Sequence, residues 1–158
     1  MTGDGLTHLD DSGAARMVDV TGKDVTARTA TARGRVEVSA EVVALLRDGA
    51  VPKGDVVATA RIAGIMAAKR TPDLVPLCHP VAVGGVDVDV VIGESAVELT
   101  ATVRTADRTG VEMEALTAVT VAALTVVDMV KAVDRAARIT DVEVVHKDGG
   151  RSGTWSRE

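Results

Sequence analysis

Three groups of residues in this chain have types and spacings suited to chemistry. The first runs along 110–131. It opens Gly-Val-Glu-Met-Glu-Ala-Leu-Thr-Ala-Val over 110–119, then carries no charge until Asp128, with Lys131 three residues on. A helix this apolar is expected to be buried on every side. Glu112 and Glu114 at its mouth, and Asp128 with Lys131 at its end, are costly in such surroundings unless paired or used. Residues three apart share a helix face, with Cβ atoms about 5–6 Å apart. That suits an acid–base pair, and equally a surface ion pair closing a core helix. Glu114 and Asp128 point in similar directions but are fourteen residues apart, roughly 21 Å by helix rise. One reacting centre cannot touch both within one chain. Either the two ends serve different purposes, or a second copy brings its opposite end alongside, as an isologous contact would.

The second group is Leu77-Cys78-His79-Pro80. A histidine held against proline has a fixed direction of approach and can move protons near neutral pH; the alternative is a packed loop histidine. Adjacent Cys and His are not a zinc spacing, no second Cys exists, and His8 and His146 are the only other imidazoles, so no metal site is expected. The third group is cationic. Lys53 precedes a helix start in Pro-Lys-Gly-Asp, where an anion is favoured. Lys69 and Arg70 end the same helix, and Lys147 and Arg151 flank Gly149-Gly150, whose backbone N–H groups could face phosphate. The Walker spacing is absent. Each lysine alone reads as a solvated charge; convergence would make them a site.

These groups need elements to position them. Residues 1–33 lack a sustained period and read as an extended N-terminal arm. A strand is expected over 35–38. Ser39 caps a short helix over 40–47, and Asp55 caps a second to about Arg70, with Ala58, Ile62, Ile65 and Met66 as its apolar stripe and Thr71-Pro72 as its stop. Alternation over 86–92 predicts a strand; Gly93-Glu94-Ser95 turns it into another, with Val97, Leu99, Ala101 and Val103 facing the core. The long helix spans 112–135, a strand follows over 142–145, and 148–158 is a flexible Gly-rich tail. This order predicts one α+β domain over 1–158, a ferredoxin-like sandwich with helices on one face of an antiparallel sheet.

Composition narrows the function. There is no Phe, no Tyr and one Trp, so the stacking platforms for single-stranded nucleic acid are missing. A net charge of −5 repels polyphosphate backbones; a small anion would need a local basic pocket. The single Cys78 excludes an internal disulfide and fits a reducing compartment. The N-terminus carries Asp4, Asp10 and Asp11 and no apolar core of signal-peptide length, and the uncharged run 115–127 is too short for a bilayer. The expectation is a cytoplasmic protein with no nucleic-acid or membrane partner.

Taken in order, several segments resemble the molybdenum cofactor biosynthesis protein C (MoaC) family. They are Leu6-Thr7-His8, Met17-Val18-Asp19-Val20, Lys53-Gly54-Asp55-Val56, Ala58-Thr59-Ala60-Arg61-Ile62-Ala63-Gly64, Ala67-Ala68-Lys69-Arg70-Thr71, Leu77-Cys78-His79-Pro80, the run 110–118, Asp128-Met129-Val130-Lys131-Ala132 and Gly149-Gly150-Arg151-Ser152-Gly153. The similarity spans nearly the whole chain. Arg151 departs from the family's usual lysine, keeping charge but changing geometry. The resemblance implies a cyclic pyranopterin monophosphate synthase, a lyase. Its substrate would be (8S)-3′,8-cyclo-7,8-dihydroguanosine 5′-triphosphate and its released product pyrophosphate. It implies Asp128 with Lys131 as the acid–base pair and Lys53 as the other catalytic lysine. Leu77, Cys78, His79, Met113 and Glu114, with Glu112, would bind substrate. Arg28, Lys69 and Lys147 are implied for the phosphate clamp, with Arg16, Lys23 and Arg151 as further candidates. It also implies a ferredoxin-like fold, a homohexamer built as a trimer of dimers with interfacial sites, and no cofactor; whether Mg²⁺ accompanies the triphosphate stays open. Two other readings compete, a non-catalytic small-molecule sensor and a structural partner holding the intermediate for another enzyme. Neither needs Asp128 and Lys131 paired at the end of an apolar helix.

Overall fold

The computed structural model describes residues 8–158; Asp4, Leu6 and Thr7, used above, lie outside them. The order is β1 (Thr26–Glu37), α1 (Ala40–Arg47), α2 (Val56–Ala68), α3 (Thr71–Leu74), β2 (Val83–Ile92), β3 (Ala96–Asp107), α4 (Glu112–Val130), β4 (Arg138–Asp148) and β5 (Trp155–Ser156). The sheet runs β2-β3-β1-β4-β5 with every pairing antiparallel. Apart from the two-residue β5, this is the α+β, ferredoxin-like βαββαβ arrangement the element order predicts.

Alternation in the strands decides which side the helices cover. Ala30, Ala32 and Val36 of β1 and Val97, Leu99, Ala101 and Val103 of β3 are buried in one core with α2 and α4. The opposite face is polar: Thr31 and Thr102 share a hydroxyl hydrogen bond of 2.9 Å, and Arg33 pairs with Glu143. Local chemistry starts the helices as expected. Ser39 Oγ accepts from the Val42 amide at 3.3 Å, and Asp55 Oδ1 accepts from the Ala58 amide at 2.9 Å.

Several boundaries differ from the sequence reading, for packing reasons. β1 begins at Thr26, inside the segment expected as arm. Before Val36 its core side is Ala30, Ala32 and Gly34 rather than large apolar residues, and α4 lies directly over it. A Cβ on Gly34 would come within 2.7 Å of Val119 Cγ1. Thr71-Pro72 does not simply stop α2 but starts α3, where proline is tolerated in the first turn. α4 ends at Val130 rather than Arg135, and the last strand fills 138–148 rather than 142–145. The Gly-rich end turns through Gly149, Gly150 and Gly153, all at positive φ, and returns as β5 against β4.

The largest difference concerns which helix faces are buried. α2 turns its small residues inward, Ala60, Gly64, Ala67 and Ala68, while Ile62 and Met66 of the expected stripe are more than half exposed. A Cβ at Gly64 would meet the Ala118 carbonyl oxygen at 3.0 Å, so close approach of α2 to α4 requires the small face inside. α4 is likewise not buried all round. Ala115, Ala118, Val119, Ala122 and Val126 are buried, but Met113 and Leu124 are 40% and 58% exposed, and Asp128 lies further along the same open stripe.

Candidate active site

The two ends of the open stripe on α4 carry different chemistry. At the C-terminal end, Lys53 enters from the turn before α2, where Gly54 adopts φ 106°. Its Nζ donates to Asp128 Oδ2 at 3.0 Å and to the Asp128 main-chain carbonyl at 2.9 Å. Lys131 Nζ donates to Asp128 Oδ1 at 2.6 Å. Each carboxylate oxygen therefore accepts from one ammonium, and a carbonyl in the last turn of the helix is capped as well. Lys131, then Lys53, holds the Asp128 carboxyl below the usual carboxylate range. The sequence paired Asp128 with Lys131 by helical spacing; only folding adds Lys53.

At the N-terminal end of α4 a cleft of about 640 Å³ opens between the arm, the 76–80 link and the helix mouth. Val18, Val20, Leu77 and Met113 give it apolar walls, with Cys78, His79 and Glu112 among them. His79 Nε2 lies 2.6 Å from the Val18 carbonyl. A carbonyl only accepts, so Nε2 donates. Behind the wall, Glu114 is 1% exposed. Its Oε1 accepts from the Cys78 thiol at 3.7 Å while Oε2 has no protein partner. Burial pushes the Glu114 carboxyl up. Burial, and then Glu114, pushes the Cys78 thiol up to about 11, so this cysteine is a neutral group and not a nucleophile.

A second, smaller recess of about 160 Å³ shares Lys23, Thr109, Gly110 and Glu112 with the first. Its other walls include Arg28, Arg108 and Lys147. Arg28 is fixed by main chain: Nε donates to the Asp107 carbonyl at 3.0 Å and Nη2 to the Arg108 carbonyl at 3.2 Å. A Cβ on Gly149 would collide with the Ala27 carbonyl and one on Gly150 with that guanidinium, and both residues sit at positive φ, which explains the glycine pair of the tail motif. Arg151 lines a neighbouring recess with Lys23 and Arg28.

The residues singled out by sequence thus fall into two clusters. Lys53, Asp128 and Lys131 form one. Leu77, Cys78, His79, Glu112 and Met113, with Glu114 behind them and Arg28 and Lys147 beside them, form the other. Lys69 joins neither: it caps the C-terminus of α2. Arg16 stays on the arm, its amide bonded to the His8 carbonyl. Arg108 was missed. The signal was present, a cation just ahead of Gly110 and the α4 mouth, but the residue reads as a strand end.

Comparison with known proteins gives the family. The model of the MoaC family matches residues 17–150. The chain belongs to the MoaC family. A cyclic pyranopterin monophosphate synthase of Streptomyces coelicolor is 72% identical over 154 residues, covering 98% of this chain and 91% of the relative. One from Nocardioides is 68% identical over 155 residues, covering 96% and 95%. One from Thermomicrobium roseum is 59% identical over 155 residues, covering 97% and 93%. With this family the chain is an enzyme, a lyase of molybdenum cofactor biosynthesis. Both clusters fall within the part that the MoaC family model covers, apart from His8 at the cleft rim and Ser152 in the recess.

Proposed function

We propose that this chain converts (8S)-3′,8-cyclo-7,8-dihydroguanosine 5′-triphosphate to cyclic pyranopterin monophosphate with release of pyrophosphate, by general acid–base catalysis. The imidazole ring of the purine opens, the base recondenses on the sugar, and a phosphate cyclises as pyrophosphate leaves. Those steps need proton donors and acceptors and a cationic clamp. The observation that carries this reading is the adjoining pair of recesses, one apolar-walled and large enough for a base and sugar, one cationic and narrow. His79 and Glu112 line the first. Arg28 and Lys147 line the second and suit the phosphates.

The Lys53–Asp128–Lys131 cluster works on the same substrate in this reading, from a second copy of the chain. It lies roughly 21 Å along α4 from Glu114, and the stripe between the two ends is open, with Thr120 and Leu124 exposed on it. Ile62, Met66, Leu74 and Leu124, all more than half exposed, continue that surface across α2 and α3. Their exposure in one chain supports a two-fold pairing that buries them, within a cytoplasmic hexamer of three such dimers. Incubating the purified protein alone with the cyclic nucleotide triphosphate tests the reaction. Pterin and pyrophosphate appear together if it is right; absence of both, with the substrate recovered intact, refutes it and favours a sensor or carrier.

A further inference from the structure

Arg108 is the cation of the narrow recess that neither the motifs nor the acid–base cluster account for. Its position is over-determined. Its amide donates to Asp107 Oδ1 at 2.7 Å, and its carbonyl accepts from Arg28 Nη2 at 3.2 Å. Its own Nε donates to the Lys23 carbonyl at 3.0 Å. Asp107, whose Oδ2 also accepts from the Ala82 amide at 3.1 Å, anchors the end of β3 beneath it. The same short segment therefore fixes one neighbouring cation, Arg28, through main chain, and clips the strand of arm that carries another, Lys23, through its guanidinium.

The two terminal nitrogens of Arg108 take no protein acceptor among the described residues, although the residue lines the recess. Two of the other charges there are held by neighbouring hydroxyls. Lys147 Nζ donates to Ser152 Oγ, and the Asp148 carboxylate accepts from the Thr154 hydroxyl. Four cations face two carboxylates, Glu112 and Asp148, in this recess, within a chain whose net charge is −5. An exposed guanidinium held by Nε with its fork free is the arrangement that grips phosphate oxygens bidentately.

We propose that Arg108 is a polyphosphate-binding residue and, through the Lys23 carbonyl, the clip that holds the arm against the recess. The binding role deepens the proposed reaction and rests on it for the identity of the substrate; the geometry itself requires only a short polyphosphate. Isothermal titration of the full chain with inorganic tripolyphosphate tests it. Arg108→Ala is expected to weaken binding at least tenfold and Arg108→Lys to restore only part, because charge returns without the fork. Arg33→Ala, on the polar sheet face, should bind as the parent does. Tryptic cleavage after Lys23 should quicken in Arg108→Ala. In turnover, Arg108→Ala should raise KM more than it lowers kcat. Tripolyphosphate binding unchanged in Arg108→Ala overturns the proposal even if the protein makes product. Arg108-dependent binding in a protein that makes no product leaves the cradle standing and removes the reaction. Unchanged proteolysis with weakened binding removes the clip and keeps the binding residue.

Discussion

Asp128 accepts from two ammonium groups, one on each carboxylate oxygen, and this decides which species can move a proton. A carboxyl held below its usual range is ionised at neutral pH, so in the proposed reaction Asp128 acts as a carboxylate that orients both ammonium groups. Asp128→Asn keeps the shape but removes the charge. It should lower product formation by about 10²–10⁴-fold with an unchanged thermal midpoint, read by a steady-state pterin assay. Glu114 has the opposite sign. Burial raises its carboxyl above the usual carboxylate range, so the native state binds this proton more tightly than the unfolded chain. The stability linked to it is full below the unfolded value and is lost as pH rises through the elevated native one. Glu114→Gln, neutral at every pH, should flatten that decline; thermal midpoints measured from pH 4 to 9 in both proteins check it.

At the scale of elements, small residues set the distances. Gly34 lies under Val119 of α4 and against Val142 of β4, within 2.7 and 3.1 Å of where a Cβ would stand. Both neighbours are branched, and Val119 is fully buried. Gly34→Ala should therefore lower stability by about 1–3 kcal/mol through overpacking, measured by urea unfolding. The same logic explains why α2 faces inward with Ala and Gly. The tight α2–α4 contact aligns the turn bearing Lys53 with the last turn of α4, which is how residues 75 positions apart in sequence come to share a proton.

For the molecule as a whole, the open stripe joining the two clusters is the feature to test. Leu124→Lys puts a charge on it between the two clusters, at a position 58% exposed in one chain. The variant should fold, sediment as a smaller species and lose activity while both clusters stay intact. Mixing inactive Glu114→Ala and Asp128→Ala chains gives the complementary result. Random pairing leaves about one quarter of composite sites free of either lesion, by the reciprocity of isologous contacts, and activity should return in that proportion. Mixed oligomers, verified by mass, that stay as inactive as either parent would place each site within one subunit.

The sequence by itself determined the α+β order of elements, the caps at Ser39 and Asp55, the hairpin at 93–95 and the pairing of Asp128 with Lys131, because these follow from local propensity and from periods of two and 3.6 residues. It also pointed to Leu77, Cys78, His79, Met113 and Glu114 as a group, through the motif order of the family. Tertiary structure decided what periodicity cannot see. The start of β1 at Thr26 is hidden from periodicity because its core side before Val36 is Ala30, Ala32 and Gly34, which carry little apolar signal, and at Gly34 a Cβ would run into Val119 of α4. Ile62 and Met66 face outward because helix packing here rewards closeness over side-chain size. Lys53 reaches Asp128, and Arg108 reaches the Lys23 carbonyl, only once chain closure brings distant segments together, and no spacing within one element encodes that contact.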